Sequence, residues 1–226
     1  MLENSKNIEK TTVEKTKADF SLEALMDARS KTYEALDRIS KAITIGMREE
    51  DATRIATQIM TEMGAEKFWH RTYVRFGTNT LKKYSQASDP GVTLGENDIY
   101  YLDIGPVWNG YEGDVGDTYV TGNDPEMHNC AKDCRAIFEA VKTHWKETSA
   151  TGQALYDYAS QIAEKMGWKL NLNVAGHRLS DFPHALYSKL GLDKVDFHPS
   201  SHVWVLEIQI QHPSRPFGAF YEDLLY

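Results

Sequence analysis

Positive charge is in short supply in this chain. It has 25 lysines and arginines against 33 aspartates and glutamates, a formal net charge of −8 with a pI near 5.5. That balance argues against nucleic acid or an anionic membrane as a partner. Cysteine is nearly missing too, with only Cys130 and Cys134. Two cysteines cannot build a disulfide scaffold, and a spacing of four in a helical stretch reads as small apolar packing on one helix face. No apolar run approaches the length of a transmembrane helix, and the N-terminus has no apolar core flanked like a signal peptide. A reducing cytoplasm is the expected compartment.

What is there reads as an ordinary globular chain. Its 226 residues, 41% hydrophobic and 26% charged, are enough for one large core. Residues 1–19 are polar and aperiodic, and are expected to form a mobile tail before a single domain over 20–226. Ser21 precedes a helical apolar period, and a second helix stops at Gly64. Strand-like runs follow, KFWHRTYVRFG, DIYYLDIGPVWNGY and TYVTG, before two further helices, one opening at Pro125 and one ending at Gly167. The last strand candidates are WKLNLNVAG, KVDFHP, HVWVLEIQI and FGAFYEDLLY. ATQIMTEMG (56–64) lines up with ASQIAEKMG (159–167), and each closes a helix before a strand. That repeat predicts a pseudo-symmetric α+β domain with helices on a mostly antiparallel sheet.

Five polar residues stand out inside apolar runs: Asp103 in YYLDIG, Asp114 in YEGDVGDT, His177 in LNVAGHRL, Glu207 in VWVLEIQI and Glu222 in AFYEDLLY. Singly, most have an ordinary explanation as turn residues, a core histidine or a polar strand face. Glu207 is the exception, because Val203, Trp204, Val205, Leu206, Ile208 and Ile210 surround it. A buried charge needs a partner, and one cationic centre shared by all five would supply it. Four carboxylates and one imidazole exceed a structural zinc site and suit a two-metal hydrolytic centre.

Order and spacing sharpen this. Asp103 and Asp114 lie eleven apart, His184 follows His177 by seven in AGHRLSDFPH, and LGENDIYYLDIG leads into the first aspartate. With these motifs the chain resembles the pita-bread metallopeptidases: methionine aminopeptidases, Xaa-Pro dipeptidases and creatinase. The resemblance implies the pita-bread fold, with a curved, mostly antiparallel sheet and helices on its outer face. It implies that Asp103 chelates one ion, that Asp114 and Glu222 bridge two, and that His177 and Glu207 complete the second. It implies a hydroxide between the ions, Glu207 as proton carrier and His184 as a stabiliser of the tetrahedral intermediate. Manganese, iron, cobalt and zinc all suit such ligands. The implied substrate is a peptide or small amide cut at its N-terminal bond, and the resemblance leaves a homodimer open.

Three positions depart from the pattern. Tyr84 stands where the peptidases carry a further histidine, Arg178 replaces the glycine after the ligand histidine, and Ile208 replaces a proline. Aligning His70 with the displaced histidine would break the match at GTNT. Tyr84 and Arg178 are therefore expected at the substrate, Arg178 facing a substrate carboxylate or else turning outward to Asp181. They also keep open a family member turned to other C–N chemistry, or a silent binding module.

Overall fold

The computed structural model describes residues 10–183 and 186–226. Helix α1 (Leu22–Ala42) starts at Ser21, whose hydroxyl accepts from the Ala24 N–H at 3.2 Å. Helix α2 (Glu49–Glu62) and its counterpart α4 (Gly152–Lys165) both run out into a glycine in the left-handed region, Gly64 at φ +90° and Gly167 at +85°. This conformation ends helices cheaply only without a Cβ. Helix α3 (Pro125–Glu147) is capped by Asp124, which accepts from the Glu126 and Met127 N–H groups. Cys130 and Cys134 are buried, unbridged, in the core under it.

The strands are β1 (Lys67–Phe68), β2 (Tyr73–Phe76), β3 (Asp98–Ile104), β4 (Pro106–Trp108), β5 (Tyr111–Glu112), β6 (Val115–Thr121), β7 (Lys169–Leu170), β8 (Val205–Gln211) and β9 (Gly218–Leu224). Six form an antiparallel sheet ordered β2-β3-β6-β9-β8-β7, and β1-β4-β5 form a small one. The order is symmetric about the β6–β9 seam, so each half contributes three neighbouring strands. Period-two alternation sorts each strand between two faces. Leu102 and Ile104 of β3 pack with Leu36, Ile39 and Met60 of α1 and α2, while Leu206, Ile208 and Ile210 of β8 pack with Cys134, Ile137 and Phe138 of α3. The helices thus cover one face, and Tyr101, Asp103, Glu207 and Gln209 are left on the other. This is the pita-bread arrangement. Among the described residues, no helix is long and apolar enough to cross a membrane.

Two segments differ from expectation. KVDFHP forms no strand. Residues 192–194 make a 3-10 turn, Val195 and Phe197 enter the core, and their carbonyls accept from Gln153 and Gly152. Those are orphan donors at the start of α4, a demand that alternation does not reveal. Residues 10–19, assigned by composition to the tail, are tied to the body. The Glu14 carboxylate accepts from the Trp204 indole at 2.7 Å and the Ser200 hydroxyl at 2.6 Å. Residues 1–9 lie outside the described residues.

Candidate metal centre

Strand register aligns the polar residues of the open face. Tyr73 pairs with Asp103, Asp103 with Gly116, Gly116 with Glu222, and Glu222 with Glu207. One row of side chains therefore crosses five strands. Gly116 holds the seam open, since a Cβ there would come within 2.9 Å of the Glu222 carboxylate and 2.4 Å of the Phe220 ring. Asp114 enters just before β6, and His177 lies on the extended segment facing it. All five expected ligands line one cavity of about 360 Å³, together with Trp69, His70, Tyr84, Asn173, Val174 and Ala175.

The distances are those of a ligand cluster. His177 Nε2 lies 3.0 Å from Asp114 Oδ2 and 3.3 Å from Glu207 Oε1. His70 Nε2 lies 3.3 Å from Asp114 Oδ1 and 3.4 Å from Asp103 Oδ1. Donors about 2.1 Å from a cation stand about 3.0–3.4 Å apart at octahedral or tetrahedral angles. Glu222 Oε1 is buried and finds no hydrogen-bond partner among the described residues. Burial raises the Glu207 carboxyl to about 8 against the pull of His177, and raises Asp103 to about 6 against that of His70. Burial and repulsion from Asp114, Asp103 and Glu207 hold Glu222 well above the usual range. Burial opposes charge on both imidazoles, yet Asp103 and Asp114 raise His70 to about 9, and Asp114 and Glu207 raise His177 to about 10. Asp114 is lowered despite its burial by hydrogen bonds from both histidines. Carboxylates this crowded, with imidazole nitrogens interleaved, fit divalent cations.

Comparison with known proteins agrees. The chain matches the metallopeptidase family M24 over residues 23–226. It belongs to that family. It is 24% identical to methionine aminopeptidase 1 of Dictyostelium discoideum over 171 residues, and 28% identical to the Xaa-Pro dipeptidase of Pyrococcus furiosus over 158. These alignments cover 72% and 61% of this chain, but only 45% and 43% of the two relatives. The prolidase of Pyrococcus horikoshii superposes with a TM-score of 0.75 at 18% identity, covering 96% of this chain and 62% of that one.

In this M24 member, His70 is the residue that sequence reading missed. The run KFWHRTYVRFG looks like one strand, but it bends at residues 69–72 between β1 and β2 and turns the ring inward. His70, Asp103 and Asp114 form a group able to hold an ion. The internal repeat held the clue. Each half continues from its glycine-ended helix to a His-Arg pair, His70-Arg71 and His177-Arg178. In each, Nδ1 contacts the arginine carbonyl, at 2.8 Å for His70 and 3.0 Å for His177. Nδ1 must be the donor, so Nε2 is the nitrogen turned to Asp114, donating to it when protonated and free to bind a cation when not. The two rings are thus pseudo-symmetric about one carboxylate. The Trp69 indole stands edge-on between them, centroids 4.1 Å from His70 and 5.0 Å from His177.

The other expected site residues divide. Tyr84 is half-exposed at the cavity mouth, where its carbonyl accepts from the Tyr73 hydroxyl at 3.0 Å. Arg178 does not line the cavity, which corrects its expected place at the substrate. Neighbouring residues in extended chain face opposite ways, so with His177 turned inward Arg178 points to the far side. There it is buried, donates to the Lys15 carbonyl and lies 5.3 Å from the Tyr187 ring. Asp181, its alternative partner, is the foremost charge favouring the guanidinium there and also pairs with Lys17 at 3.4 Å. Asp223, next to Glu222, likewise turns to the helix face and takes a bidentate pair from Arg29 at 2.7 and 2.5 Å. His184 lies outside the described residues.

Proposed function

We propose that this chain is a metal-dependent hydrolase that cleaves the amide bond next to a free N-terminus, in a peptide or a small amide. The observation that carries the reading is the convergence of four carboxylates and two imidazoles on one cavity within a metallopeptidase fold. Asp103 and His70 would hold one divalent ion and His177 and Glu207 a second, with Asp114 and Glu222 available to both. Two such ions would supply a nucleophilic hydroxide at neutral pH and would polarise the substrate carbonyl. Glu207 accepts the proton of the attacking water and delivers it to the leaving amine. Trp69 fixes both imidazoles, and Tyr84 offers its phenol to substrate at the mouth. His184 keeps the stabilising role that the family resemblance implies.

The test is a panel of Met-, Ala- and Xaa-Pro-starting peptides offered to protein loaded with Mn(II), Co(II), Fe(II) or Zn(II). At least one series is expected to release its N-terminal residue, with turnover lost on chelation and restored on reloading. No release from any peptide under any loading would overturn the proposal.

A further inference from the structure

Below the carboxylate row runs a second one, about 7 Å further along the strands, one pleat repeat away. Register places Arg75 of β2 opposite Tyr101 of β3, Tyr101 opposite Thr118 of β6, and Phe220 of β9 opposite Gln209 of β8. A small chamber opens here, lined by Arg75, Tyr73, Tyr101, Gln209 and Phe220. It shares Tyr84, Asp103, Val174 and Glu207 with the large cavity. Its volume of about 20 Å³ is room for about one water-sized group, such as a carboxylate oxygen reaching down from the large cavity.

The charge balance of Arg75 is unfinished. Its side chain is 1% exposed. Nη2 donates to the carbonyls of Lys83 at 3.1 Å and Gln86 at 2.9 Å. Nε and Nη1 are buried with no hydrogen-bond partner among the described residues. The neighbouring polar groups are engaged elsewhere. Gln209 donates to the Thr80 carbonyl and accepts from Asn171, and the Tyr73 hydroxyl donates to Tyr84. Behind Arg75, Glu49 accepts from the Phe76 N–H and Asn79, and Glu50 from the Gly91 N–H. A buried guanidinium with two idle donors carries a large desolvation cost that a bidentate carboxylate would relieve. The Arg75 guanidinium lies 5.0 Å from the Tyr73 ring, and no carboxylate oxygen is paired with it among the described residues.

We propose that Arg75 binds a carboxylate of the substrate, so that this site selects acidic ligands. The inference rests on the hydrolase reading for its substrate, and it moves acid recognition from Arg178 to Arg75. The carboxylate is either the side chain of an N-terminal Asp or Glu, or the free C-terminus of a dipeptide. Two peptide series separate these sources: Glu- against Gln-starting peptides with amidated C-termini, and Ala-Ala against its amide. The acid form is expected to win by at least about 10-fold in kcat/KM in one series. Arg75→Met should bring that ratio to about 1.

Isothermal titration of the metal-loaded protein with free glutamate and glutamine reads the same preference without turnover. A failed hydrolase assay therefore leaves the proposal testable. Tighter glutamate binding that disappears in Arg75→Met supports it. If Arg75→Met does not fold, Arg75→Lys, which keeps the charge and loses the fork, should lower the ratio part of the way. Equal treatment of acid and amide in both peptide series and in the titration would overturn the proposal. So would a preference undiminished in a folded Arg75 variant.

Discussion

Asp114→Ala is expected to abolish metal uptake and to lower any metal-dependent turnover by on the order of 10³-fold or more. The Asp114 carboxylate reaches both imidazoles, His70 at 3.3 Å through one oxygen and His177 at 3.0 Å through the other. Asp114 is 2% exposed and lines the cavity between the two histidines. Its removal separates the two halves of the centre electrostatically. Elemental analysis of the purified variant, with circular dichroism to establish folding, checks this. Asp114→Asn keeps the shape but not the charge, and should lose most of the affinity as well. A folded Asp114→Ala protein with wild-type metal content would refute the placing of both ions on this carboxylate.

Gly105→Ala should have the second-largest effect, although Gly105 carries no ligand atom. A Cβ there would lie 2.0 Å from His70 Cδ2, 2.2 Å from its Nε2 and 2.8 Å from the Trp69 indole nitrogen. Neither ring can yield in place. His70 packs against Trp69, which is itself anchored by its indole N–H to the Gly113 carbonyl at 2.9 Å. The His70 ring must therefore leave the centre. The expected result is a 10- to 100-fold loss of metal affinity, roughly the cost of disturbing a ligand's support, with a destabilisation of about 1–3 kcal/mol from overpacking. Metal titration and chemical denaturation read the two effects separately. His70→Ala should reproduce the affinity loss without the overpacking. If Gly105→Ala binds metal as tightly as the parent, His70 is not part of the centre.

The sequence carried the fold and much of the centre because both depend on local rules. Alternation puts Asp103 opposite to Leu102 and Ile104, and Glu207 opposite to Leu206 and Ile208, so the buried carboxylates are visible as interruptions of apolar runs. Helix ends at Gly64 and Gly167 are visible because a left-handed residue favours glycine. What stayed hidden depends on direction and register. His70 sits where alternation predicts an unbroken strand, and only the bend at residues 69–72 turns it inward. Arg178 stands beside a ligand in sequence, and for that very reason faces away from it. Arg75 looks like any polar residue on the open face of YVRF; cross-strand pairing with Tyr101 puts it in the floor of the site.

Two histidines, one from each half of the chain, are expected to hold two ions across Asp114. Anomalous diffraction from crystals grown with Mn(II) or Co(II) tests it most directly. The expected result is two peaks per chain about 3.5–4 Å apart, one bonded to His70 Nε2 and Asp103, the other to His177 Nε2 and Glu207, with Asp114 touching both. A fully loaded crystal with no peak in the cavity, or with His70 turned away from both ions, would contradict it.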